Sequence, residues 1–126
     1  MRYKILLSLI CHSLLLIIAK GQSNDPYVRV AKIIVDSSQL NPYMRFLKEG
    51  VETAMQQEPG VLRMYAVAEK NHPHRITIIE TYASKAAYEL HIQTAHFKRY
   101  KQGTLHMVKF LELIDVEPLF LAAKIP

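Results

Sequence analysis

Hydrophobic side chains run almost unbroken from Val28 to Val35, interrupted only by Arg29 and Lys32, and this β-branched stretch predicts a strand buried on much of both faces. Asp36-Ser37-Ser38 is turn chemistry. Asn41 then offers an N-cap with Pro42 at the first helical position, and Leu40, Met44, Leu47, Val51, Ala54 and Met55 recur at helical spacing, predicting an amphipathic helix. Gly50 within it costs about 1 kcal/mol relative to alanine and allows close approach to a sheet. Glu58-Pro59-Gly60 stops the helix. Val61 to Glu69 and Arg75 to Tyr82 read as strands joined by the polar turn Lys70 to His74, a hairpin. Ser84 caps a second helix to about Gln93, Thr94 caps a short third one to about Leu105, and Phe110 to Val116 closes the series as a strand.

Strand, helix, strand, strand, helix, short helix, strand is the order of the α+β, ferredoxin-like split βαβ plan: a four-stranded antiparallel sheet with its helices on one face. The other face then needs a cover, since Val28 to Val35 is too apolar to sit in water. The expected solution is a homodimer that packs sheet against sheet as a dimeric α+β barrel. The tail 118–126, with Leu119, Phe120, Leu121 and Ile125, is apolar enough to cross onto the dimer partner.

Ahead of this domain, Met1-Arg2-Tyr3-Lys4 is a basic head followed by an apolar stretch from Ile5 to Ala19, the layout of a secretory signal peptide. Small residues at Ala19 and Gly21 predict cleavage before Gln22, so that 1–21 is removed, 22–27 is a leader and 28–117 is the domain. The apolar core is short for a membrane span, which favours cleavage over a stable anchor, and the protein is expected to be exported, periplasmic or secreted. The 126-residue chain carries a formal charge of +5, but removing Arg2, Lys4 and Lys20 leaves 13 basic against 11 acidic side chains and a net charge of +2. No basic block remains to bind nucleic acid. Cys11, the single cysteine, falls inside the removed segment, so the domain has neither disulfide nor thiolate chemistry.

The residues Glu58-Pro59-Gly60-Val61-Leu62-Arg63, Ile79-Glu80-Thr81-Tyr82, Tyr88 and His91, and Thr94-Ala95-His96-Phe97 with Tyr100 occur in order over a run from Val28 to Val116. This run resembles the antibiotic biosynthesis monooxygenase family, particularly its small quinol-monooxygenase-like members. The resemblance implies dimers of ferredoxin-like subunits. It implies an activity among cofactor-independent oxidation of phenols and quinols, haem degradation, and isomerisation of a phosphorylated sugar derivative. Haem-degrading members use an asparagine on the first strand, a tryptophan at the end of the third and a histidine after the family's phenylalanine. Here the chain has no tryptophan, Val28 to Val35 has no asparagine, and Tyr82 and Lys101 stand at the other two places, which argues against that branch.

Period-two alternation puts Ile76, Ile78, Glu80 and Tyr82 on one strand face, so Glu80 lies among apolar neighbours and needs a partner. On the helices, Ala87, Tyr88 and His91 share a face, and His96 and Tyr100 stack four residues apart. If both helices cover the sheet, Glu80, His91, His96 and Tyr100 converge on one pocket with Phe97, Met64 and Ile78 as its apolar wall. A carboxylate orienting an imidazole beside an apolar cavity is what a general base near neutral pH requires. The resemblance then implies that a small aromatic quinol or phenol loses its proton to His96 or His91 and passes an electron directly to dioxygen. Tyr100, Tyr82 or Arg63 would hydrogen-bond the oxyanion. Such a substrate carries its own reducing power, so no flavin, metal or other cofactor is implied.

Plainer roles stand beside these. His91, His96 and Glu80 also read as residues satisfying one another within a core, Tyr65 and Tyr88 as core or interface tyrosines, and Met44, Met55 and Met64 as core filling. His72 and His74 on the hairpin turn lack the further ligands of a metal site. The alternative to an enzyme is a non-catalytic exported dimer that binds a small apolar ligand, or an isomerase of the same family.

Overall fold

The structure, a computed structural model, describes residues 25–124. In chain order its elements are β1 (Tyr27–Val35), α1 (Leu40–Gln57), β2 (Val61–Ala68), β3 (Arg75–Tyr82), α2 (Lys85–His91), α3 (Ala95–Thr104) and β4 (Val108–Val116). The expected signal segment 1–21 and the first three leader residues lie outside the described residues, as do Ile125 and Pro126. Every strand pairing is antiparallel and the sheet order is β2-β3-β1-β4, the ferredoxin-like arrangement expected from the element order. Among the described residues no helix is long and apolar enough to cross a membrane.

The main core lies between the sheet and α1. Ala31, Ile33 and Val35 of β1 and Ile76 and Ile78 of β3 meet Tyr43 and Leu47 of α1, with Met107 closing the end. A second cluster joins Ala54, Val61 and Tyr82 beneath α2. At roughly 1.5–3 kcal/mol for each buried aliphatic or aromatic side chain, these contacts hold the helices to one sheet face.

Two local readings are corrected. The long helix starts at Leu40, not after Asn41, because Asp36 caps a 3₁₀ turn, Ser37–Gln39, that runs directly into α1. Pro42 is tolerated there because the first helical turn leaves backbone N–H groups unused in any case. The buried stripe of α1 is Tyr43, Leu47 and Ala54, while Met44 and Met55 are 43% and 44% exposed and so do not fill the core.

The opposite sheet face carries no helix. It shows Tyr65 and Val67 of β2, Ile79 of β3, and Phe110 and Val116 of β4, all exposed, flanking Val30 and Ile34 of β1. On the helix side, Leu111 and Leu113 of β4 are also exposed, because α1, α2 and α3 stop short of that edge.

Candidate functional site

The site is assembled from the ends of helices. Glu58 is the residue on which α1 ends: its backbone N–H still donates to the Ala54 carbonyl, while its own backbone is extended ahead of Pro59. His91 is the last residue of α2, and His96 lies in the first turn of α3. Thr94 locks the two helices together. Its hydroxyl donates to the His91 carbonyl at 2.7 Å and accepts from the Phe97 N–H at 3.2 Å, so one capping residue fixes the spacing of both histidines. Gly60 lets the start of β2 approach α2, since a Cβ there would stand 2.7 Å from the Ala87 Cβ.

His91 Nδ1 lies 2.8 Å and His96 Nε2 2.7 Å from the same carboxylate oxygen, Oε2 of Glu58. An ionised carboxylate only accepts, so both imidazoles donate an N–H to it, and this assigns their tautomers. The remaining nitrogens, Nε2 of His91 and Nδ1 of His96, then carry lone pairs. Neither has a protein hydrogen bond, and no buried side-chain nitrogen or oxygen among the described residues lacks one. Both lone pairs therefore reach accessible space. Since His91 is only 5% exposed, the space open to it is the cavity that its ring lines.

That cavity has a volume of about 90 Å³ and lies between the sheet, α1 and the two short helices. Glu80, His91, His96 and Tyr100 all line it, and Phe97, Met64 and Ile78 supply its wall, so the structure brings together seven of the nine residues singled out above. Leu111 and Leu113 form its open rim, and past Leu111 a hollow of about 230 Å³ continues along α3 and β4.

Arg63 is not brought to the site. A bulge between Val61 and Arg63 shifts the pairing by one residue, so Arg63 lies opposite Thr81 on the far sheet face while Met64 turns inward opposite Glu80. Tyr82 faces the helices but is fully buried behind the cavity, and its hydroxyl donates to Glu80 at 2.9 Å. Glu80 thus has a phenol as its partner, and the carboxylate that orients the histidines is Glu58. Burial raises the Glu80 carboxyl above the usual glutamate range, outweighing the Tyr82 hydrogen bond and the nearby His91, Arg29 and Lys101 that favour its charged form. Tyr100 hydrogen-bonds the Tyr43 hydroxyl at 2.6 Å, and burial raises both phenols, keeping each a proton donor at neutral pH.

Two cations reach the cavity, Arg29 and Lys101, and Arg29 is the one held in place. Its Nε donates to Asp115 at 3.0 Å, its guanidinium lies 4.6 Å from the centre of the Tyr88 ring, and it also hydrogen-bonds the Tyr88 hydroxyl. Tyr27 donates to the same Asp115 oxygen at 2.8 Å and its phenol is pushed up to about 12, chiefly by burial. Lys101 also lines the cavity and makes no ion pair among the described residues. Glu58, Arg29 and Lys101 were all missed by sequence reasoning, although Arg29 shares the inward register of Ala31 and Ile33 and was within its reach. As for metals, Glu58, His91 and His96 place three potential ligand atoms within 4.8 Å of one another, whereas His72 and His74 stay a pair.

Comparison with known proteins agrees with this architecture. The antibiotic biosynthesis monooxygenase family profile matches residues 26–103. The chain is 52% identical to a Bacteroides thetaiotaomicron protein of known crystal structure, provisionally named an antibiotic biosynthesis monooxygenase, with a TM-score of 0.77 over 81% of this chain and 97% of that one. A provisionally named monooxygenase of Lactobacillus acidophilus is 29% identical with a TM-score of 0.70, over 71% of this chain and 43% of that one. A Pseudomonas aeruginosa protein at 23% identity and a TM-score of 0.71, over 79% of this chain and all of that one, shares the fold. No curated protein matches the chain. A profile spanning β1, β2, β3, α1, α2 and most of α3, together with a relative identical at half its positions, shows that this chain belongs to the antibiotic biosynthesis monooxygenase family.

Proposed function

We propose that the protein is a cofactor-independent monooxygenase that oxidises a small quinol or phenol with dioxygen, using His91 as general base. The observation that carries this reading is the Nδ1–H of His91 donating to Glu58 while its Nε2 opens on a cavity whose wall is mostly apolar and which Glu80, Tyr100, Arg29 and Lys101 also reach. A carboxylate behind one nitrogen fixes the ring and stabilises the imidazolium that forms when the other nitrogen takes a proton. His96 shares that carboxylate and Glu80 stands near His91, so the new positive charge meets two carboxyl groups.

The substrate phenol gives its proton to His91 Nε2, and the resulting anion passes electrons to dioxygen. For a quinol the balance closes without a cofactor: one oxygen atom enters the ring, the other leaves as water, the quinol becomes a hydroxyquinone and supplies all the electrons. Arg29, Lys101 and Tyr100 are donors available to the oxyanion, in the place that Arg63 was expected to take. An apolar cavity of roughly 150 Å³ holds a benzene ring. At about 90 Å³ this one takes a single ring that extends over Leu111 and Leu113 toward the adjoining hollow, which favours one-ring substrates.

Oxygen uptake with a panel of hydroquinones and phenols, run with a metal chelator present, tests the reading. Uptake is expected in the wild-type protein and is expected to fall about 10²- to 10⁴-fold in His91→Ala. Full turnover in His91→Ala sinks the assignment of the base, and no uptake across the panel turns the reading toward a non-catalytic ligand-binding module.

The same proposal includes a homodimer formed through the helix-free sheet face. Its support is the exposed apolar set of Tyr65, Val67, Ile79, Phe110 and Val116, on strands too apolar for open solvent. Wild-type protein is expected to sediment as a dimer and Ile79→Lys, which leaves the cavity untouched, as a monomer. A monomeric wild type excludes the dimer.

A further inference from the structure

We infer that Glu58, His91 and His96 form a binding site for a single divalent transition-metal ion, and that the ion silences the base when bound. Imidazole and carboxylate are the donors that first-row divalent ions take, and two histidines with one carboxylate form a facial set that leaves other positions open. Here Nδ1 of His91, Nε2 of His96 and a Glu58 oxygen lie within 4.8 Å of one another.

With ligand bonds of about 2.1 Å, the present nitrogen-to-oxygen separations of 2.8 and 2.7 Å subtend roughly 80° at the metal. For these two nitrogen–oxygen pairs that is near the 90° of neighbouring octahedral ligands, which needs a widening of only about 0.2 Å, and the two nitrogens, within 4.8 Å of each other, complete a face at about 3 Å. These two separations suit an ion content with octahedral coordination, such as Co²⁺, Ni²⁺ or Fe²⁺, and three protein ligands leave positions open as a closed structural zinc site does not. The rings are already held in place: His91 packs 5.0 Å from Phe97 and 5.4 Å from Tyr82, centre to centre, and its carbonyl is tied to Thr94. The His96 and Glu58 side chains keep 16% and 13% exposure, which leaves an entry path and room for water on the open positions.

The consequence follows from the single proton of neutral imidazole. At rest His91 carries it on Nδ1, toward Glu58, and Nε2 is free to accept. A metal on Nδ1 displaces that proton, and the neutral metal-bound ring carries its proton on Nε2 instead. The cavity then faces an N–H donor where it had a base.

Co²⁺ added to the purified protein provides the test, read by proton NMR. One equivalent is expected to produce two exchangeable, paramagnetically shifted imidazole N–H resonances, lost in His96→Ala and in Glu58→Ala and retained when His72 and His74 are both replaced by alanine. Absence of shifted resonances in the wild type overturns the site, and that arm needs no variant to fold. So does their survival in His96→Ala and Glu58→Ala, or their loss in the His72 and His74 double variant. Inhibition of quinol oxidation by Co²⁺, reversed by chelation, is the further expectation. It rests on the proposed base: shifted resonances without inhibition overturn the silencing and the role of His91 while the ion site stands.

Discussion

Glu58→Ala is expected to reduce quinol turnover by about 10³- to 10⁴-fold, and Glu58→Gln by a smaller factor, about 10- to 100-fold, with both proteins folded. The two substitutions separate what the carboxylate does. Alanine removes the acceptor for both imidazole N–H groups, so His91 and His96 lose the contacts of 2.8 and 2.7 Å that set their orientation and tautomer. Glutamine keeps an oxygen able to accept both hydrogen bonds and removes only the negative charge, so the rings stay aimed while the imidazolium formed on proton transfer loses its counter-charge. The measurement is initial-rate oxygen uptake under chelation. A Glu58→Ala enzyme within threefold of wild type excludes the carboxylate from the chemistry, and equal losses in the two variants assign its whole effect to charge.

That the decisive carboxylate is Glu58 marks where sequence reasoning stops. Strands and helices were legible because their signals are local: the β-branched run of β1, the alternation that put Ile76, Ile78 and Glu80 on one face of β3, and the serine and threonine that cap α2 and α3. His91, His96, Tyr100 and Phe97 were placed together because caps and helical spacing fix their faces. Glu58 lies 33 and 38 residues before its two histidines, and in Glu58-Pro59-Gly60 it reads as a helix stop, which it also is. No local pattern distinguishes a carboxylate that ends a helix in water from one that ends it against two imidazoles. Arg63 fails for a different reason. Simple alternation from Val61 turns Arg63 toward the helices, and the single-residue bulge that reverses it leaves no mark in composition. The methionines of α1 show a third limit: apolar periodicity finds the helix but sets the buried stripe only to within a neighbouring position, and here Tyr43 takes the place expected for Met44.

The largest effect on stability is expected at Tyr82, where alanine should cost about 3–5 kcal/mol, a large share of the roughly 5–15 kcal/mol that holds a domain folded. Its side chain is fully buried, packs with Ala54 and Val61, and meets the rings of Tyr27, Tyr88 and His91, so the cavity left behind opens between α2 and the sheet. At about 4–8 °C per kcal/mol for a domain of this size, the melting temperature should fall by more than 10 °C, and a shift of only a few degrees would show that the cluster does not hold α2 in place. Glu80 gives the opposite sign. Its folded carboxyl is raised by burial, so wild-type stability is fully present below the ordinary glutamate range, where the group is neutral folded or unfolded, and declines as pH rises through the raised value. Glu80→Gln keeps an oxygen to accept the Tyr82 hydrogen bond and cannot ionise. It is therefore expected to melt higher than wild type at neutral pH, with the gain shrinking as pH falls toward the ordinary glutamate range. A gain that is independent of pH would mean that the ionised form is not what costs stability. A protein that keeps an ionisable carboxyl in this position, beside the imidazole proposed to take the substrate proton, gives up stability at the site where the opposite charge is made.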